Sequence, residues 1–127
     1  MSTRKEALQE LLAKVEAGDD AGFRRSNRAV FATPCQDIAL QLREEHCRHA
    51  YKGSLDAAKA LHEAVLPGCS QYSIVTDPTC LKVSVCWWPD GLSGKREVHG
   101  EGWSEADPAR AWLIAIIKAL IAQEARG

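Results

Sequence analysis

No run of about 18 apolar residues occurs anywhere in the 127-residue chain, so a membrane-spanning helix is not expected. Residues 1–6, Met-Ser-Thr-Arg-Lys-Glu, lack the apolar stretch of a secretory signal, and a cytoplasmic protein is the expectation. An excess of charge of one sign is missing too. Sixteen basic and 17 acidic side chains leave a net charge of −1, whereas a domain that works by neutralising phosphates is usually strongly basic. Nucleic acid is therefore not an expected partner. The five cysteines, at 35, 47, 69, 80 and 86, are odd in number and never spaced Cys-x-x-Cys, which disfavours a disulfide framework or a zinc ribbon and predicts free thiols. No Ser-His-Asp order, phosphate-cradling glycine loop or His-Glu-x-x-His motif is present. No catalytic residue is assigned, no cofactor is expected, and the chain reads as a non-enzyme.

What is present suits one domain over 1–127. A chain of this length removes roughly two-thirds of its unfolded surface from water on folding, enough for a core without disulfides or metal. Leu8, Leu11, Leu12 and Val15 follow helical spacing and predict a helix over 4–17. Thr3 and Glu6 form a capping-box pattern ahead of it, and Gly18 before Asp19-Asp20 supplies a left-handed stop. Residues 19–50 are the variable segment: Pro34 should interrupt any helix across Val30-Phe31, and 37–45 reads as one short helix. Ser54 caps a helix carrying Leu55, Ala58, Leu61 and Val65, which Pro67-Gly68 ends. The period then changes from 3.6 to 2. Tyr72 and Ile74, then Leu81, Val83, Val85 and Trp87, alternate on either side of Asp77-Pro78-Thr79 and predict an antiparallel hairpin. A third, polar strand over about 95–103 should lie at an edge. Asp107 and Pro108 open a closing helix that is apolar around most of its girth. The class that follows is α+β, with a small antiparallel meander of two to three strands.

Candidate binding residues are few. Arg24, Arg25 and Arg28 form a cluster that could meet an acidic partner or phosphates, with Phe23 and Phe31 nearby for stacking. Trp87 and Trp88 are consecutive on a strand and must point to opposite faces, so Trp88 joins the arginines as a partner-binding candidate unless a second helix layer covers it. Cys35, His46, Cys47 and His49 offer four nitrogen or sulfur donors, the number that zinc takes, at a spacing that fits no zinc module. They stand as metal candidates against the plainer reading of a polar segment, and no metal is assigned. Trp112, Ile116 and Leu120 form one face of the closing helix while Leu113, Ile117 and Ile121 form another. One sheet should not bury both, and a homodimer through the first face is expected.

The segment Tyr51-Lys52-Gly53-Ser54-Leu55-Asp56-Ala57-Ala58, with Leu61 and Leu66-Pro67-Gly68, and the closing Pro108-Ala109-Arg110-Ala111-Trp112-Leu113-Ile114-Ala115, resemble the phage ABA sandwich domain, a family of small proteins of tailed phages and prophages. The resemblance covers about 50–123 and a leading helix like 4–17. It implies a sheet sandwiched by helices, a three-layer α/β/α-like order with the sandwich core over 51–127, and it brings no catalytic residue. Cys69 stands where an aromatic often follows the Pro-Gly exit, and 19–50 is this chain's own elaboration. The function that the resemblance implies is a phage- or prophage-encoded binding protein in the bacterial host cytoplasm, blocking a host protein of antiphage defence. The alternatives are a nucleotide- or metal-binding protein and a virion or assembly accessory protein.

Overall fold

The computed structural model describes residues 4–31, 38–66, 69–76, 81–89, 97–104 and 107–126. In chain order the elements are α1 (Arg4–Ala17), α2 (Asp20–Phe31), α3 (Ile38–Tyr51), α4 (Leu55–Val65), β1 (Cys69–Thr76), β2 (Leu81–Trp88), β3 (Val98–Ser104) and α5 (Pro108–Arg126). The α+β class and the antiparallel meander, in the order β1-β2-β3, are as the sequence predicts.

The first four helices form two corners built by one device. At the end of α1, Gly18 takes φ +70°, its N–H donates to the Val15 carbonyl, and the Asp19 N–H reaches back to Lys14. At the end of α3, Gly53 takes φ +108°, its N–H donates to the Ala50 carbonyl, and the Ser54 N–H reaches back to His49. Both are Schellman endings, where glycine supplies the left-handed residue at no steric cost. The residue after each glycine starts the next helix at once. Asp19 Oδ1 accepts from the Gly22 N–H at 3.0 Å, and Ser54 Oγ accepts from the Ala57 N–H at 3.1 Å. The expected capping box of α1 involves Thr3, which lies outside the described residues, as do Cys35 and the Pro67-Gly68 exit.

Two expectations for the variable segment are corrected. Val30 and Phe31 are helical, the last two residues of α2, and Pro34 lies outside the described residues. The short helix expected over 37–45 is, from Ile38 onward, the first part of a 14-residue α3. Leu55, expected on the buried side of α4, is exposed at the first helical position, where its side chain points past the core.

Helix α5 is the centre of the molecule. Ala109, every residue from Ala111 to Ile117, Ala119 and Leu120 are buried. One side of it packs on β2 and β3, and α1, α3 and α4 pack on it too while leaving the sheet almost untouched. The layers therefore run sheet, α5, remaining helices, in place of a helix layer on each face of the sheet. Among the described residues no helix covers the other face, where Gln71, Ser73 and Val75 of β1, Lys82, Ser84, Cys86 and Trp88 of β2, and His99, Glu101 and Trp103 of β3 are partly or fully exposed.

This order also overturns the expected dimer face. Trp112, Ile116 and Leu120 are 3%, 0% and 6% exposed within a single chain, because the helices cover what the sheet cannot. The contact of α5 with β3 is backbone to backbone. A Cβ at Gly102 would strike the Ala111 carbonyl and lie 2.9 Å from the Ala115 nitrogen, and one at Gly100 would strike the Ala115 carbonyl and lie 2.7 Å from the Ala119 nitrogen. Glycines alternating on the strand thus receive alanines spaced one turn apart on the helix.

Candidate partner-binding face

Helix α2 divides cleanly by its periodicity. Gly22, Phe23, Ser26, Asn27, Val30 and Phe31 are buried, so Ala21, Arg24, Arg25, Arg28 and Ala29 face outward together. These five line an open groove of about 680 Å³. Arg28 keeps 80% of its side chain exposed, and its nearest counter-ion, Glu44, is 3.9 Å away. Such a pair contributes little in high dielectric, roughly 0–1 kcal/mol, so the guanidinium stays available to another anion.

The basic surface continues around the corner onto α3 and α5. Two adjoining depressions, of about 230 and 270 Å³, are lined between them by Arg24, Arg28, Arg48, Lys52 and Arg110 against Asp20 and Glu44. Five cations against two carboxylates is a local excess in a chain of net charge −1.

Tyr51 organises the floor. Its ring stacks on Phe23 with centroids 4.0 Å apart and planes 10° from parallel, and the Arg110 guanidinium covers the opposite side at 4.4 Å. The Tyr51 hydroxyl donates to Asp20 Oδ1 at 2.6 Å, and burial together with that carboxylate pushes the phenol up to about 12. Arg110 Nη2 donates to the Tyr51 carbonyl at 3.0 Å. Deeper in, Asn27 Nδ2 donates to the Glu44 carbonyl at 3.1 Å and joins α2 to α3. Both aromatic rings are spent inside this stack. Phe31 is buried as well, so the expectation that Phe23 and Phe31 could stack against a ligand is corrected.

The remaining sequence candidates are dispersed. Trp87 is buried against the core and Trp88 lies on the sheet's open face, opposite in direction as the alternation requires. Trp88 is therefore in a different layer from the arginines and shares no surface with α2, which packs on α1 and α3. Cys47 is fully buried, and the loss of water pushes its thiol far above the usual range. Among the described residues it does not converge with His46 and His49 into a group that could hold a metal ion, and Cys35 is outside the described residues. Cys47, Cys69 and Cys86 are free thiols. Among the described residues the metal-capable side chains that do converge are Cys86, Glu97 and His99, none of which sequence spacing singled out, because they meet only through strand register. Arg48, Lys52 and Arg110 escape sequence reading too: they come from α3, the turn just after it and α5, and carry no local signal.

No helix among the described residues is long and apolar enough to cross a membrane. No protein-family model, no curated protein and no solved structure matches this chain.

Proposed function

We propose that this protein acts by binding rather than catalysis, and that the arginine face of α2, extended by Arg48 and Lys52, docks an acidic surface of another protein. The observation that carries the reading is the outward cluster of Arg24, Arg25 and Arg28, interleaved with Ala21 and Ala29 and continued by three further cations. Guanidinium groups suit bidentate pairing with carboxylates, and the small alanines let a partner backbone approach between them. A nucleotide fits less well, since the aromatic faces that would hold a base are already covered by Phe23, Tyr51 and Arg110 packing on one another. The resemblance of the Tyr51–Ala58 and Pro108–Ala115 segments to the phage ABA sandwich domain supports the more specific setting: a phage or prophage protein that blocks a bacterial host protein of antiphage defence.

The test is native mass spectrometry of tagged protein recovered gently from a bacterial host lysate. A protein partner retained by the unaltered chain should be lost from the R24E/R25E/R28E variant and from washes at raised salt, and kept by K59E, a reversal at an exposed position of α4. The same triple variant should lose any effect on phage plating. Retention of the partner by the triple variant would sink the reading.

A further inference from the structure

Cys86 on β2 and His99 on β3 are direct partners in the antiparallel register. Both project from the open face, because their neighbours Val85, Trp87, Val98 and Gly100 are turned inward against α5. Glu97 precedes His99 by two residues and so shares its side of β3. His99 Nδ1 lies 3.4 Å from Cys86 Sγ, and His99 Nε2 lies 2.7 Å from Glu97 Oε1. One donor atom from each of the three side chains fits within 4.8 Å of the others. A tetrahedral zinc ion, with bonds of about 2.3 Å to sulfur and about 2.0 Å to nitrogen, holds those two ligands roughly 3.5 Å apart. The thiol–imidazole spacing is already at that value.

We propose that Cys86, Glu97 and His99 form a surface site for one divalent transition-metal ion of the zinc class, held by the Cys86 thiolate, His99 Nδ1 and the Glu97 carboxylate once it turns from its place on Nε2. Binding releases the thiol proton to solvent; the imidazole enters neutral and the carboxylate ionised. His99 keeps 62% of its side chain exposed, so a further coordination position faces water or a donor from another molecule.

The electrostatics separate this reading from a thiol nucleophile. The contacts run thiol, imidazole, carboxylate, as in a nucleophile–base–orienter arrangement, but the raised thiol works against a standing thiolate there. Partial burial and the carboxylates of Glu97 and Glu101 push the Cys86 thiol up. Among the described residues Lys82 is a nearby cation, and it reaches Glu101 at 3.9 Å. A field that opposes a bare thiolate favours the thiolate once a dication accompanies it.

Cobalt(II) added to the full-length reduced protein is the probe, because thiolate ligation gives a near-ultraviolet charge-transfer band and tetrahedral coordination gives intense visible bands. One equivalent of cobalt should produce both, and zinc should bleach them. The C86S variant should lose the charge-transfer band. H99A and E97Q should each weaken cobalt binding by about tenfold or more, while C69S, on the same face, should leave it unchanged. All four sites are surface positions, and unchanged far-ultraviolet circular dichroism checks that each variant folds; should C86S not fold, H99A, which keeps every cysteine, decides. A charge-transfer band that survives in C86S or at full strength in H99A would overturn the proposal. So would the absence of any such band at millimolar cobalt.

Discussion

Arg110 grips Tyr51 twice: its guanidinium lies 4.4 Å over the ring while Nη2 donates to the same residue's carbonyl at 3.0 Å. One side chain near the start of α5 thereby fixes both the ring and the backbone at the end of α3. With Phe23 stacked beneath, the three groups tie α2, α3 and α5 together at the floor of the basic surface. The segments 51–58 and 108–115, one holding Tyr51 and the other Arg110, meet at this point.

Tyr51→Phe keeps the stack and loses the hydroxyl's bond to Asp20. A bond to a charged acceptor contributes about 1.5–3 kcal/mol, and the cost should fall near the lower end because Asp20 itself stays hydrated. Tyr51→Ala, which also removes the ring, should cost about 3–5 kcal/mol. Urea unfolding of the two variants measures the difference; equal losses would show that the ring contributes nothing.

Gly102→Ala and Gly100→Ala should each destabilise strongly, for the added methyl meets the carbonyls of α5 rather than side chains that could rotate away. Overpacking of this kind costs typically about 1–3 kcal/mol, and the backbone obstacle puts these two at or above the top of that range. Equilibrium unfolding reads the loss directly. A change of less than about 0.5 kcal/mol at both positions would mean that α5 does not sit this close to β3.

Much of this fold is legible in the residues. Leu8, Leu11 and Val15 announce α1, the Val83-Val85-Trp87 alternation announces β2, and Asp107-Pro108 announces α5, since in each the buried positions are apolar. Helix α2 escapes such reading because half of its buried face is Gly22, Ser26 and Asn27, which dilutes the apolar period. The length of α3 is obscured similarly: Ile38, Leu40 and Leu42 alternate as a strand would, and the buried positions farther along are Cys47, Ala50 and Tyr51. The arginine cluster on α2 is visible as a run of letters, whereas its extension through Arg48, Lys52 and Arg110 depends on how three helices meet. The layer order is invisible for another reason. An all-round apolar helix signals burial without saying whether its second face meets a helix or a second copy.

His62 should make stability fall in mild acid. It is buried, Nδ1 accepts from the Trp112 indole at 3.3 Å, and Nε2 therefore carries the proton and donates to Ser70 Oγ at 2.9 Å. Burial lowers its pKa below 6.5. An unfolded chain then takes up a proton that the folded one refuses, so the contribution is complete above about pH 6.5 and is lost as pH falls towards the folded value. The slope from this one group approaches about 1.4 kcal/mol per pH unit. Unfolding curves for the unaltered chain and His62→Gln between about pH 7 and pH 5 should converge as the pH drops; parallel curves would contradict the neutral, buried state.

Ile116→Ala should behave as a core truncation and not as an interface lesion. The residue is fully buried within one chain, and deletion of such a side chain costs about 2–5 kcal/mol. The loss should be the same at low and high protein concentration. A penalty that disappears on dilution would return the residue to a subunit contact.

The place of α5 in the chain has a consequence for synthesis. Every other layer packs on this helix, and it is the last of the eight described elements to leave the ribosome. The two glycine-hinged corners, joined to each other through α2 and α3, and the meander are completed earlier from contacts close in sequence, but the corners share almost no surface with the meander. Until α5 emerges, the inward faces of Val83, Val85, Leu8, Leu11 and Leu61 have no common partner, and the nascent protein presents them to solvent or to a chaperone. Assembly is therefore decided late, by a single helix that closes the sheet and the helical layer in one step.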